Sequence, residues 1–384
     1  MQYKNLVKKI SVLPEKKTKQ KDYLQKGSLP IVDQGQELVG GYTDDMSMEV
    51  KCNLPVIVFG DHTRAVKYID FPFGAGADGI KVLQPKEEIF PKYLYYATQY
   101  LVLRLEDRGY ARHYQYIEKK EIEVPDYKEQ ERIVARIEEL FSQLDSGVET
   151  LKKTKEQLAV YRQAVLKEAF EGTLTGHEKK DSVPLGTFVE KPRYGTSKKC
   201  DYAVTNNCIP VYRIPNIDYS VGCIDHTDIK YAEFSENDLV DLKLKVGDIL
   251  IIRSNGSASL VGRASMVRKN DTGGTFAGYL MRLRITDKTK MNPKYLLHFL
   301  ESYNARIYIE NKAKSTSGVH NINSTEISNM QIPVYEIDEQ DMIVSAIEDR
   351  LSVCDSIEKT VDTALQQAEA MRQSILKKAV EGEL

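Results

Sequence analysis

Few residues of this 384-residue chain have types and spacing that could support chemistry. Phe73-Gly74-Ala75-Gly76-Ala77-Asp78-Gly79 has the form of a glycine loop that cradles S-adenosylmethionine. That use needs a strand before the loop and a helix N-terminus after it. Here Pro72 stands before it and Ile80-Lys81-Val82-Leu83 after it reads as a strand, so a tight turn between strands is the expected role. Asn292-Pro293-Lys294-Tyr295 is nearest to the Asn/Asp-Pro-Pro-Tyr/Phe tetrapeptide that holds a target adenine amine, but it lacks the second proline and opens a helix. No GxxxxGK[ST] phosphate loop occurs, and no carboxylate pair with Glu/Asp-x-Lys follows Pro125-Asp126. Cys200, Cys208, Cys223 and His226 do not have the spacing of a common zinc finger. The expectation is therefore no catalytic residue, no metal and no cofactor.

What remains is a set of basic, polar and aromatic loops of the kind that grip DNA. In the C-terminal half they are Arg193, Tyr194, Thr196, Ser197, Lys198 and Lys199, then Arg253 and Asn255, then Ser317, His320 and Asn321. In the N-terminal half they are His62 and Arg64, then Arg108, Tyr110, Arg112, His113 and Tyr114. Arginine can pair bidentately with guanine, and asparagine with adenine. Lysine, serine and threonine suit phosphate oxygens.

These loops need elements to position them, and the chain supplies those elements twice. Residues 129–174 and 339–384 align without a gap, with 19 of 46 positions identical. Each repeat reads as one long helix. Pro125 and Pro333 stand upstream, Asp126 and Asp338 are expected N-caps, and Gly172 and Gly382 are expected C-terminal glycines. Three–four apolar spacing marks a seam through Ile137, Leu140, Leu144, Leu151 and Leu158, and through Ile347, Ile357, Val361 and Met371. Such a seam wants a partner helix, and the partner expected is the other copy, antiparallel. Before each helix comes a segment of short strands, a Pro-Lys-Tyr-Leu helix start (91–94 and 293–296) and a polar loop. The expected divisions are 1–126, 127–176, 177–336 and 337–384.

Charge follows the same divisions, at net +1, −1, +4 and −6, so a polyanion would meet the globular parts. The overall balance of −2 excludes a uniformly basic coat. With 41% hydrophobic residues the chain can bury cores, and no apolar run approaches the ~20 residues of a membrane span. The N-terminal stretch MQYKNLVKKI has no signal-peptide core, and five scattered cysteines fit a reducing, cytoplasmic setting.

Together these features resemble the specificity (S) subunit of type I restriction–modification systems. The resemblance is carried by Arg193–Lys198 with Ile209–Ile217, by Val246–Asn255 with Leu260–Arg263, by Asn321-Ile322-Asn323, and by the Glu-Gln…Ile-Val openings of both helices. It implies an α+β chain in which two target-recognition domains, small twisted sheets with helices, are separated by two long helices forming an antiparallel coiled coil. It further implies a non-catalytic subunit that reads a bipartite double-stranded DNA site, one domain per half-site. Two methyltransferase (M) subunits would dock on it, and restriction (R) subunits would then join. The alternative is the DNA-reading portion of an adenine DNA methyltransferase, or such an enzyme standing alone.

Overall fold

A computed structural model describes the chain except for residues 78, 107, 108, 110, 204–207 and 314–317. It divides into two compact units, one of Met1–Lys153 with Val361–Leu384 and one of Thr154–Thr360.

The first unit contains two four-stranded sheets. In one, Val7–Ile10, Ile80–Pro85, Val56–Gly60 and Val66–Ile69 lie side by side, all antiparallel. In the other, Lys17–Thr18, Gly74–Gly76, Leu29–Val32 and Gly41–Thr43 are neighbours. Gly74–Gly76 is thus a fully buried strand rather than a turn, and the strand Ile80–Pro85 follows it instead of a helix. The glycine run is packed inside the protein.

The second unit repeats this plan with additions. Arg193–Tyr194, Leu280–Leu283, Ile249–Ile252 and Ala264–Met266 correspond to the first sheet, extended by Cys223–Ile224 and Ile217–Asp218. Thr275–Phe276, Cys208–Tyr212 and Lys230–Glu233 correspond to the second. The helix start at Pro293 opens two successive helices, Pro293–Glu301 and Tyr303–Lys312. Ser302 breaks them, because its backbone is extended and its side chain caps Ala305 N–H at 3.4 Å.

Both long helices form, Tyr127–Phe170 and Ile337–Val380, each of 44 residues and about 66 Å long at 1.5 Å per residue. Asp126 caps the first through Glu129 N–H at 3.0 Å. Asp338 lies inside the second helix, and the bond there runs from Glu336 N–H to Glu339 at 2.9 Å. Gly172 and Gly382 both follow a helix end at positive φ (83° and 75°), where glycine avoids a Cβ penalty.

The repeated Glu-Gln opening has a physical reason. Gln130 accepts from Phe90 N–H (2.8 Å) and donates to Glu88 O (3.1 Å) and Pro125 O (2.9 Å). Gln340 accepts from Asn292 N–H (2.9 Å) and donates to Lys290 O (2.9 Å) and Tyr335 O (2.8 Å). Both glutamines are buried. The Pro-Lys-Tyr-Leu tyrosines complete the joint, Tyr93 donating to Glu123 O at 2.8 Å and Tyr295 to Pro333 O at 2.9 Å. Lys92 and Lys294 pair with Glu138 (2.6 Å) and Glu348 (2.8 Å) on the long helices. Each small helix is thereby fixed to the long helix that follows it.

Within each unit the two long helices meet antiparallel. In the first, Arg132 donates to Leu384 O at 2.8 Å and Asp145 pairs with Arg372. In the second, Arg162 pairs with Asp355 (2.7 Å) and Glu358 (3.0 Å), and Tyr335 donates to Phe170 O at 3.4 Å. The end of one repeat therefore completes the core beside the start of the other. Leu376, Ala379 and Val380 join Ile133, Val134 and Ile137 in one cluster. Leu166, Ala169 and Phe170 join Ile343, Val344 and Ile347 in another.

The expected seam needs correction at two of its nine positions, both in the second helix. Ile137, Leu158, Ile347 and Val361 are buried, and Leu140, Leu144 and Leu151 are half-buried. Ile357 and Met371, however, are 41% and 54% exposed. The second helix turns inward through 347, 351, 354, 358, 361, 365, 368 and 372. A seam stepping four then three shares only every seventh residue with one stepping three then four. Glu358 and Arg372 hold the seam because long side chains lay their stems on apolar neighbours and keep the charge at the edge. Arg372 sits 4.4 Å from the Phe141 ring centroid.

Candidate nucleic-acid interface

Three stretches of the second unit converge. Arg193–Tyr194 pairs with Leu280–Leu283 at the register Tyr194↔Met281. At Gly195 the chain runs so close to Phe276 O and Ala277 O that a Cβ has no room. This explains the glycine in Tyr-Gly-Thr and lets Thr196 bridge Ala277 in parallel, with Thr196 N–H on Phe276 O at 2.9 Å. Arg253 leaves the strand Ile249–Ile252 with its guanidinium 4.4 Å from the Tyr194 ring centroid and a bond to Gly278 O at 3.0 Å. Ser254 and Asn255 pair with Asn321 and His320, and Ser324 N–H donates to the Tyr194 hydroxyl at 3.1 Å. Tyr194 and Arg253 are thus held as a stacked pair beside Asn255, His320 and Asn321.

Not every expected contact is available there. Arg193 pairs with Asp241. Lys198 reaches Asp238 (2.8 Å) and Glu233 O (3.1 Å), and it is the main cause holding the Asp238 carboxyl down at about 2. Both charges are committed inside the unit. The Thr196 hydroxyl accepts from Lys198 N–H at 3.1 Å, which fixes the turn. Ser197 and Lys199 are exposed, and Ser317 lies outside the described residues. His320 is anchored to Ala313 O at 2.9 Å. Tyr279, 63% exposed and bonded through its carbonyl to Arg253 N–H (2.9 Å), is an aromatic on this surface that spacing did not single out.

The first unit builds the corresponding place with different chemistry. His113 N–H donates to Asp61 O at 2.8 Å, as Ile322 N–H donates to Arg253 O at 2.9 Å. Asp61 therefore occupies the place of Arg253. It is buried, accepts Tyr114 N–H at 2.9 Å, and faces Lys81 at 3.3 Å. His62 meets Ala111 O at 3.1 Å, and Arg64, at φ 62°, reaches His113 Nε2 at 3.4 Å. His113 and Tyr114 are 1% and 4% exposed, so they support the loop from within. Tyr114 belongs to the core with Phe59, their ring centroids 6.0 Å apart, because it opens the short helix Tyr114–Ile117 whose apolar side faces inward. Arg112 is exposed, while Arg108 and Tyr110 lie outside the described residues. An open cleft of about 250 Å³ is lined by Arg104, His113, Tyr116, Lys119 and Lys120 among others.

Among the described residues no three His, Cys, Asp or Glu side chains gather as metal ligands. No helix is long and apolar enough to cross a membrane among those residues.

The fold and these loops define a class that comparison with known proteins makes concrete. Residues 9–159 match the type I restriction modification DNA specificity domain. The chain is similar to the type I restriction enzyme StySPI specificity subunit of Salmonella potsdam, 31% identical over 271 residues, 68% of this chain and 57% of that protein. It is equally similar to the EcoKI specificity subunit of Escherichia coli strain K12, 31% identical over 272 residues with the same coverage. The alignments thus span about 57% of the length of these relatives. In fold it is similar to a chain from a structure of the type I R-M system, with TM-score 0.74, 16% identity and coverage of 100% and 97%. It is also similar to the HsdS subunit from Thermoanaerobacter tengcongensis, with TM-score 0.55, 16% identity and coverage of 100% and 96%.

Proposed function

We propose that this chain is the non-catalytic DNA-reading subunit of a type I restriction–modification complex. Each module reads one half of a bipartite double-stranded site, and the paired long helices set the distance between the halves. Two methyltransferase subunits dock on the chain, supply S-adenosylmethionine chemistry, and are joined by restriction subunits. The complex works in the cytoplasm.

The observation that carries this reading is the recurrence of one plan in two modules with different side chains at the same place. Tyr194 and Arg253 stack in one (4.4 Å), and the Asp61–Lys81 pair (3.3 Å) stands in the other. Two modules of one fold with different chemistry at the same place suit two different half-sites. The burial of Gly74–Gly76 in a sheet supports leaving methyl transfer to another polypeptide.

Footprinting of the full chain assembled with its methyltransferase subunits tests the proposal. Two short protected blocks separated by unprotected base pairs are expected. A single continuous block, or S-adenosylmethionine bound by the chain alone, would instead favour a methyltransferase.

A further inference from the structure

We infer that the lysine-rich segment Lys16-Lys17-Thr18-Lys19-Gln20-Lys21 is the phosphate-contacting loop of the first module, the counterpart of Tyr194–Lys199 in the second. The inference rests on the DNA-reading function proposed above and assigns a contact that the sequence did not reveal.

Strand register carries it. In the second module Val211 and Tyr212 pair in parallel with Thr275 and Phe276, and the next residue, Ala277, bridges Thr196 in parallel. In the first module Ile31 and Val32 pair in parallel with Gly74 and Ala75, and the next residue, Gly76, pairs in parallel with Thr18. Thr18 thus occupies the place of Thr196, and Lys19-Gln20-Lys21 the place of Ser197-Lys198-Lys199. The two segments share no Tyr-Gly-Thr string, so alignment by letters passes over the match.

Charge gives a second argument. Residues 16–21 hold four lysines and no acid. Lys16, Lys19 and Lys21 are exposed, whereas Thr18 is 7% exposed and pins the segment to the sheet. Lys16 reaches back to Ser47 O at 2.8 Å. In the second module Lys198 is instead committed to Asp238 at 2.8 Å. A lysine row of this kind, anchored at its centre by strand pairing, suits a line of phosphate oxygens, which position a protein on the duplex without reading sequence.

The test uses the full chain assembled with its methyltransferase subunits on a DNA carrying its site. Lys19→Ala/Lys21→Ala removes two cations, and each lost phosphate contact lowers the slope of log K against log salt by about 0.9. The expected result is a slope about 2 shallower, with loss of phosphate-ethylation interference confined to one half-site. Lys19→Arg/Lys21→Arg is expected to restore both. Lys199→Ala is expected to remove interference in the other half-site. Loss with Lys199→Ala but an unchanged slope and interference pattern with Lys19→Ala/Lys21→Ala would overturn this assignment and leave the proposed function standing. No interference in either half-site of the unaltered complex would overturn both. Thermal unfolding of each variant at the unaltered midpoint excludes misfolding as the cause.

Discussion

Replacing Gln340 by methionine examines how the small helix of the second unit is joined to the long helix that follows it. Methionine keeps a comparable volume but has no amide. It therefore strands three groups around a side chain that is 0% exposed: Asn292 N–H, Lys290 O and Tyr335 O, now bonded at 2.9, 2.9 and 2.8 Å. Each buried polar group left without a partner costs about 1–3 kcal/mol, and carbonyls sit at the low end. The sum is about 3–5 kcal/mol, a large share of the ~5–15 kcal/mol that holds a domain together. At 1.4 kcal/mol per factor of ten this is a fall of about 10²–10³·⁵ in the protection of amides that exchange by opening of the unit. The assay is hydrogen exchange of the full chain, read in Ile249–Ile252 and Leu280–Leu283 of the second unit, with Val56–Gly60 and Ile80–Pro85 of the first as control. Gln130→Met should give the mirror result. Unchanged protection in the second unit, or equal loss in both units, would refute the view that each glutamine locks its own module.

Further predictions follow from the same contacts. Phe170→Ala removes a ring that meets Tyr295 and Phe299 at 5.1 and 5.3 Å, and should lower second-unit stability in a denaturant titration by about 3–5 kcal/mol. Gly195→Ala should leave the folded core intact, as near-UV circular dichroism would report, yet weaken DNA binding by displacing the Thr196 bridge. Arg253→Ala should weaken binding by about 1–3 kcal/mol and relax selectivity in one half-site only, as a base-substitution series would show. Burial, reinforced by Lys294 and opposed by Glu348 at 3.9 Å, holds His298 below the ordinary imidazole range. A folded value below the unfolded one means the unfolded state binds more protons as pH falls. The stabilising contribution is therefore complete above about pH 6.5 and is lost on acidification. His298→Gln should flatten that limb of a stability–pH curve, and an unchanged limb would show that other groups cause it.

Much of the architecture was legible because it rests on repetition and periodicity. Helix ends at Gly172 and Gly382, the Pro-Lys-Tyr-Leu starts and the doubling of the chain are local signals. The seam was legible only to its heptad positions, because Ile357 and Met371 look like better core residues than Glu358 and Arg372. Contact with the facing helix, not hydrophobicity, decides between them. At the candidate interface, Tyr194, Arg253 and Asn255 come together. Arg193 and Lys198 look the same on paper, yet their charge meets Asp241 and Asp238, which are distant in sequence. His113 and Tyr114 read as polar loop residues because their burial depends on Asp61 and Phe59, some fifty positions away. Lys16–Lys21 was passed over because its equivalence to Tyr194–Lys199 resides in strand register alone.

The central claim is that each module reads its own half-site while the paired helices hold the separation. Base-resolved mapping of methylated adenines tests it most directly, in cells carrying this chain and its partners, before and after residues 181–336 are exchanged for another such module. The account predicts a bipartite motif in which one half changes while the other half and the spacer stay fixed. A motif that is continuous, or that changes in both halves or in neither, would contradict it.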